Sequence, residues 1–221
     1  MSVSAHWPLL DMLSANDRHE LLAHARRRRF ARNEVIFHEG DPGNALHLVG
    51  KGHIAIRVHT PLGDIATVRI VGPGEFFGEL AIVAPAPRNA TAVALDATET
   101  LVLDNRQFDA LRAEHPQIDR LLIEALASEV RRLASQLVDA MYVPVDKRVW
   151  RRIIELTATF GSDDKPADTI PLTQDVVAQL SGCTRPSANR VLRRGEEHGV
   201  IRVGRGRIDV VDHDAISRLA R

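Results

Sequence analysis

Cysteine is almost absent from this chain, and long apolar runs and an excess of charge of either sign are missing. The single cysteine, Cys183, excludes a disulfide framework within one chain and any metal or iron–sulfur site that needs four thiolates. No stretch approaches the roughly 18 consecutive apolar residues of a membrane-spanning helix, and the N-terminal residues contain no apolar signal-peptide core. We therefore expect a cytoplasmic protein without membrane association.

The charges balance overall but are unevenly distributed along the chain. The 29 Lys+Arg residues equal the 29 Asp+Glu residues, yet from Pro144 to the end 14 Lys+Arg face 11 Asp+Glu, a net of +3. A basic C-terminal part is compatible with a DNA partner. Neighbouring histidines, such as His19 and His24 or His47 and His53, show no spacing typical of a metal site or a catalytic triad. We do not expect an enzyme.

Residues 173–197 carry the strongest functional signal of the sequence. They predict two short helices separated by Ser181-Gly182-Cys183. Thr173 and Thr184 occupy N-cap positions, and Pro186 falls in the first turn of the second helix, where its missing N–H costs little. This pattern is typical of a helix-turn-helix.

The outward face of the second helix is basic and polar, which suits guanine edges and phosphates in a DNA major groove. The residues on this face are Arg185, Ser187, Asn189, Arg190, Arg193 and Arg194. Residues 200–211 add a two-stranded hairpin with a basic tip, and this hairpin is typical of a wing. The alternative interpretation is an ordinary helical hairpin with a solvated basic face.

The N-terminal half has the texture of an antiparallel barrel or jelly roll. Between about residues 26 and 103, short β-branched runs alternate with glycine-containing turns. Residues 4–24 predict a short helical segment before the strands. The run Arg26–Arg29 is either a patch that binds a polyanion or the solvated edge of a strand or helix.

A long helix over residues 117–142 follows the strands. Its apolar residues recur at steps of three and four, which is the spacing of a coiled-coil seam. The alternatives are a parallel homodimer and a helix packed on its own domain, and the nearby DNA-binding segment favours the dimer. Because the residue before a proline resists the α conformation, Pro144 marks a hinge. The predicted interface residues are Ile123, Leu126, Val130, Leu133 and Leu137.

A second informative cluster lies between the strands at Gly78-Glu79-Leu80, with Arg88 and Asn89 nearby in sequence. Consecutive backbone N–H groups at such a turn can bind an anion, and the Arg88 guanidinium suits a phosphate. The Glu79 carboxylate is a good acceptor for a sugar hydroxyl. The cluster predicts a ligand with a cyclic phosphate and a ribose, and the alternative is a structural Arg88–Glu79 ion pair.

The order of these parts resembles the CRP/FNR family of bacterial transcription regulators over essentially the whole chain. The resemblance implies an α+β fold, with an N-terminal antiparallel β-barrel or jelly roll, a long dimerisation helix and a C-terminal winged helix-turn-helix. It divides the chain into an effector domain (1–116), a dimerisation helix with hinge (117–143) and a DNA-binding domain (144–221). It implies a homodimer, activator or repressor, that binds palindromic double-stranded DNA.

The resemblance also assigns roles to individual residues. The effector, cyclic AMP or a related cyclic nucleotide, would contact Gly78, Glu79, Leu80, Arg88 and Asn89, and no further cofactor or metal is required. Base-reading arginines would be Arg185 and Arg190. Contacts to DNA phosphates would come from Thr184, Ser187, Asn189, Arg193, Arg205 and Arg207.

Four residues, in three places, depart from the family pattern. Asn89 stands where members that bind cyclic AMP have a serine, and Leu133-Ala134 replace the Thr-Ser pair that would face adenine. Pro186 replaces a glutamate that reads cytosine, which predicts an altered or relaxed half-site. A different nucleotide, or a silent ligand site with constitutive DNA binding, therefore stays open beside cyclic AMP.

Two further alternatives concern partners. A cyclic-nucleotide-binding regulatory subunit that acts on a protein partner would explain the barrel, but it would leave the arginine-rich helix and the wing without a use. The polar loop Gly161–Thr169 is either a contact for RNA polymerase, by analogy with the family, or an inert connector.

Overall fold

The structure is a computed structural model that describes residues 6–11, 13–61, 63–162 and 165–221. The chain divides into two compact units, one formed by Met1–Asp64 with Arg69–Val130 and the other by Ile65–Val68 with Arg131–Arg221. In the predicted N-terminal helical segment, the structure has a 3-10 turn at Pro8–Leu10 and helix α1 at Ala15–His24. Residues 4, 5 and 12 of that prediction lie outside the described residues.

The N-terminal strands form two antiparallel four-stranded sheets, in the orders β1-β8-β3-β6 and β2-β7-β4-β5. The predicted barrel is therefore a roll of two sheets. The first sheet contains β1 (Arg26–Phe30), β3 (Ala45–Lys51), β6 (Phe76–Phe77) and β8 (Thr98–Asp104). The second contains β2 (Val35–Phe37), β4 (Ile54–His59), β5 (Ile65–Val71) and β7 (Thr91–Ala94).

Each face of the first sheet has its own core, because successive side chains of a strand point to opposite faces. Buried residues from both sheets make the interior of the roll: Phe30, Ile36, Val49, Ile54, Val71, Phe77, Ala92 and Ala94. The other face of the first sheet packs against helices through Leu46, Leu48, Leu101 and Leu103, which join Trp7, Leu10, Leu13, Ile82, Phe108, Leu111, Ile118 and Leu122.

After α1, the described part of the N-terminal half contains two more helices, and a third leads into the C-terminal half. They are α2 (Leu80–Val83), α3 (Asn105–Glu114) and α4 (Gln117–Tyr142). Helix α3 begins with a capping box, in which the Asp104 carboxylate accepts from the Gln107 backbone N–H and the Gln107 side chain accepts from the Asp104 N–H. Helix α4 has the predicted bounds, and its first turns belong to the core beneath the roll through Ile118 and Leu122.

The C-terminal residues form a small helical domain with a three-stranded sheet in the order β10-β11-β9. The helices are α5 (Val145–Thr159), α6 (Gln174–Leu180), α7 (Arg185–Glu197) and α8 (His213–Leu219). The strands are β9 (Thr169–Ile170), β10 (Ile201–Gly204) and β11 (Arg207–Val210). The last residue of the predicted polar loop 161–169 thus begins β9, and residues 163 and 164 of that loop lie outside the described part.

Helix α7 is held against α5 by a close approach at Gly195. A Cβ atom at this position would lie 2.3 Å from Cη2 of the buried Trp150 ring, so only glycine allows the two helices this spacing. The inward residues Ala188, Val191 and Leu192 complete the contact surface of α7. The orientation of the α7 outer face is therefore set by close packing on its inner face.

A buried histidine lies inside the roll. The His47 ring on β3 stacks on Phe77 at 4.9 Å between centroids, and its Nδ1 lies 3.2 Å from the Thr100 hydroxyl. Burial first, and then the guanidinium groups of Arg88, Arg28 and Arg26, together lower the pKa of His47 to about 3. The ring is therefore neutral in the folded protein at physiological pH.

This neutral histidine predicts an acid-dependent loss of stability. Below pH 6.5 the unfolded chain protonates His47 while the folded chain does not, so the free energy of unfolding falls as the pH decreases towards 3. The contribution approaches about 1.4 kcal/mol per pH unit. Urea unfolding between pH 7 and pH 4.5 should show a shallower decline for His47→Phe than for the wild type. Parallel stability curves for the two proteins would contradict this account.

Candidate functional site

The N-terminus of α7 is built by its own hydroxyl groups. The Thr184 hydroxyl accepts from the Ser187 backbone N–H at 3.4 Å and lies 3.0 Å from the Ser187 hydroxyl. This arrangement is the N-cap that the sequence predicted, with Thr184 as the cap and Arg185 as the first residue of the helix. Thr184, one of the residues predicted to contact phosphate, therefore also caps α7.

The outer face of α7 presents guanidinium groups that are not neutralised within the chain. Arg185, Arg190 and Arg193 are exposed, and none of them has an ion pair among the described residues. Arg194 differs, because its Nη1 lies 3.0 Å from the Asp146 carboxylate. The free guanidinium groups line an open groove of about 570 Å³ together with Asn189, Arg194, the uncharged Pro186 and one carboxylate, Glu197.

Asn189 takes a structural contact that the sequence did not predict. The residue is half-buried, and its Nδ2 donates to the Gln174 side-chain oxygen, which joins α7 to α6. In the wing, Arg205 is exposed at the turn between β10 and β11, whereas the Arg207 Nε lies 3.2 Å from the Asp209 carboxylate. Arg205 thus has no ion pair in the described part of the chain, and neither has the exposed Arg202 on β10.

Arg88, the predicted phosphate ligand, is 5% exposed in the N-terminal unit. Its Nη1 donates to the Gly78 carbonyl at 2.9 Å and its Nη2 donates to the Ala45 carbonyl at 2.7 Å. The guanidinium also lies 4.2 Å from the Phe37 ring centroid, a cation–π contact. Its partners are therefore neutral, and the structural Arg88–Glu79 ion pair that the sequence left open does not form among these residues.

Gly78 brings the predicted turn next to Arg88. Its φ of +87° lies in the left-handed region, and a Cβ atom would lie 2.6 Å from the Arg88 Nη1. Both the backbone conformation and the close approach require glycine here. The turn therefore ties the end of β6 to Arg88.

Glu79 lies half-buried at the start of α2. Burial raises the pKa of its carboxyl group, and the opposing influences are its own backbone N–H and the Arg69 and Arg88 guanidinium groups. Leu80 and Asn89 are exposed. The predicted ligand residues thus comprise a buried cation, a half-buried carboxyl group and two exposed side chains around one turn.

Sequence reasoning missed an ion-pair cluster near Glu79. Arg69 on β5 lies 2.6 Å from the Glu75 carboxylate and 3.7 Å from the Glu129 carboxylate on α4. These residues are up to 60 positions apart, so no local pattern indicates the pairing. Charged groups other than Arg88 therefore surround the predicted ribose-binding carboxylate.

Helix α4 exposes the predicted seam. The exposed fractions of Ile123, Val130 and Leu137 are 65%, 65% and 62%, and that of Leu133 is 47%. Leu126 is half-buried. Large apolar side chains are rarely left in such a continuous stripe on a soluble surface, so the stripe indicates an interaction face.

Within the residues that the structure describes, no group of three or more His, Cys, Asp and Glu side chains could hold a metal ion. None of the described helices is long and apolar enough to cross a membrane.

Two family models match the chain, one in the N-terminal region and one in the C-terminal region. The cyclic nucleotide-binding domain matches residues 27–115, which contain the Arg88 turn, and the Crp-like helix-turn-helix domain matches residues 147–219, which contain α7 and the wing.

Relatives match both parts together. A CRP-like cAMP-activated global transcriptional regulator of Mycobacterium tuberculosis is 32% identical over 194 residues, 87% of each chain. The cyclic AMP receptor protein of Thermus thermophilus is 29% identical over 214 residues, 96% of each. A solved CRP/FNR family regulator from the same organism matches with a TM-score of 0.70 at 26% identity, over 88% of this chain and 98% of that one. With a cyclic nucleotide-binding roll followed by an arginine-faced winged helix-turn-helix, the chain belongs to the CRP/FNR family of DNA-binding transcriptional regulators.

Proposed function

We propose that the chain is a homodimeric regulator that binds a palindromic DNA site when a cyclic nucleotide occupies the roll. Cyclic AMP is the first candidate for this nucleotide. The observation that carries the proposal is the set of three exposed guanidinium groups on α7, at Arg185, Arg190 and Arg193, which have no ion pair among the described residues. A bound polyanion such as DNA would neutralise the positive charge of this surface.

On this proposal, Arg185 and Arg190 contact guanine edges in the major groove. A bidentate arginine–guanine pair contributes roughly 1–3 kcal/mol of discrimination against the wrong base. Arg193, Arg205 and the hydroxyls at the start of α7 contact phosphates, which position the protein without specifying sequence. Two copies of α7 in a dimer would enter adjacent turns of the duplex, about 34 Å apart.

Arg190→Ala should therefore lose discrimination at one base position of each half-site, by about 5- to 150-fold. Arg193→Ala is the matched comparison, because it should weaken binding equally on all sequences and reduce the salt dependence. Competition binding with single-base variants of the preferred palindrome measures both. An equal loss on every sequence for Arg190→Ala would make that residue a phosphate contact instead.

The effector assignment depends on the Arg88 turn and on the names of the relatives, which bind or respond to cyclic AMP. A cyclic phosphate would lie against Arg88 and the Gly78–Leu80 turn, with Glu79 accepting from the ribose hydroxyl and Asn89 donating to the phosphate. The nucleotide can act only through a difference in its affinity for the two arrangements of the dimer.

Arg88→Ala should abolish heat on titration with cyclic AMP and leave salt-sensitive nonspecific DNA binding intact. Arg106→Ala, which removes the same charge from an exposed position on α3, is the control and should bind the nucleotide as the wild type does. Calorimetry with cyclic AMP, cyclic GMP and cyclic di-GMP identifies the effector. An unchanged cyclic AMP titration in Arg88→Ala would refute the phosphate role.

A second candidate is a regulator with a silent ligand site that binds DNA constitutively. The observation that favours it is the Arg69–Glu129 ion pair, because the groups near Glu79 are already partly neutralised within the chain. Wild-type protein that binds none of the three nucleotides but selects a palindrome would establish this alternative.

The dimer assignment depends on the apolar stripe of α4. Burial of Ile123, Leu126, Val130, Leu133 and Leu137 against a second copy would form a parallel coiled coil. The proposed division is an effector domain at 1–116, a dimerisation helix at 117–143 and a DNA-binding domain at 144–221. The segment 161–169 is a candidate contact for RNA polymerase.

Leu137→Asp should dissociate the dimer, since each copy loses a buried leucine and places a carboxylate in the seam. We expect the dimer dissociation constant to rise at least about 100-fold. Ser135→Asp adds the same charge at an exposed position outside the seam and serves as the control. Sedimentation equilibrium measures both variants, and a wild type that sediments only as single copies would remove the basis of the proposal.

A further inference from the structure

The arginine run of β1 is divided between the two faces of the first sheet. Arg27 and Arg29 point to one face, where they lie 3.2 Å and 2.9 Å from the Glu99 carboxylate. Arg26 and Arg28 point to the other face, towards the interior of the roll, because side chains alternate along a strand. The sequence left two interpretations of this run, an anion-binding patch and the solvated edge of a strand. The first can apply only to Arg26 and Arg28, and the second only to Arg27 and Arg29.

Arg26 and Arg28 line a cavity of about 230 Å³ that also reaches Arg88. Neither of the two β1 residues has an ion pair among the described residues, and the Arg28 guanidinium lies 4.8 Å from the Phe30 ring centroid. The remaining polar lining comes from Asn44, His47 and Asp41.

The charges in this cavity do not balance. Three guanidinium groups face one carboxylate, Asp41, which already accepts from the His38 backbone N–H at 2.7 Å. His47 contributes no charge, and its pKa is lowered by burial and by the same three arginines.

Arg88 supplies an unused donor at this site. The residue is 95% buried, its two terminal nitrogens donate to carbonyls, and its Nε–H is buried without an acceptor among the described residues. A guanidinium has five N–H donors and the two carbonyls take only two of them, so the terminal nitrogens of Arg88 can still donate to an anion.

We propose that this cavity is a second anion site, which binds a small phosphate group between Arg26, Arg28 and Arg88. Its volume of about 230 Å³ is below the 300–1,000 Å³ of pockets for drug-sized ligands, and it suits a small anion such as a phosphate group. The site is distinct from the Gly78–Leu80 turn but shares Arg88 with it. The proposal goes beyond the nucleotide response and does not depend on it.

The test uses the full chain at low ionic strength, with inorganic phosphate and methyl phosphate as probes. Calorimetry measures affinity, and the imidazole ¹⁵N resonances of His47 report whether the anion enters the cavity. We expect saturable binding that perturbs His47. Binding of inorganic phosphate alone assigns the site to the free ion, and binding of both probes assigns it to a phosphorylated metabolite.

The matched pair of variants is Arg28→Gln and Arg29→Gln, which remove the same charge from opposite faces of one strand. Arg28→Gln should weaken phosphate binding about tenfold, the loss of one charge-assisted hydrogen bond, and Arg29→Gln should leave it within about twofold. If Arg28→Gln does not fold, the more exposed Arg26→Gln replaces it, with Arg27→Gln as its control.

Two results would overturn the proposal. One is a wild type without saturable phosphate binding or without a change at His47, and the other is an equal loss in both members of the variant pair. Because the titration contains no cyclic nucleotide and no DNA, its failure leaves the proposed function standing.

Discussion

The N-terminal unit depends on one buried guanidinium group. Arg88 joins the turn after β6 to strand β3 by donating to the Gly78 and Ala45 carbonyls, and it leaves its charge without a carboxylate partner. Burying a charge in this way is costly unless another charge compensates for it. The roll therefore buries a cation that pairs with no carboxylate among the described residues, and the left-handed Gly78 is what lets the turn approach that cation.

In the C-terminal unit the arginines are instead on the surface, and apolar packing fixes the orientation of the helix that carries them. Helix α7 starts at the Thr184 cap, contacts α6 through Asn189 and α5 through Gly195, and so has little freedom to rotate. These contacts fix the backbone positions from which the exposed arginine side chains extend. A base-reading arginine must be placed within hydrogen-bond reach of a base edge, and a mobile helix would not provide that.

The architecture could be predicted largely from the sequence, because each part has a strong local signal. Periodicity located α4, and threonine caps located α6 and α7. Two missed strands lack such a signal, because β6 is two phenylalanines and β9 lies at the end of a polar loop. Helix α8 had a usable signal, since Asp212 caps it by accepting from the Ala215 N–H.

The candidate site was only partly predictable. Residue types indicated Arg88 and the α7 arginines, but contacts between distant positions did not follow from any local pattern. Examples are the Arg69–Glu129 pair and the division of the β1 arginines, which requires knowledge of which face of the strand is inside. Asn189 shows the converse, since a polar residue predicted to contact phosphate also joins two helices.

The placement of the apolar stripe on α4, separate in sequence from the arginines of α7, has a genetic consequence. In the proposed dimer, a copy with an intact stripe and a defective α7 would still pair with a normal copy. Each mixed pair would then hold a single functional recognition helix, too few for a two-fold site. Mutations that damage α7 alone should therefore be dominant over the intact allele, whereas mutations that destroy the stripe should be recessive.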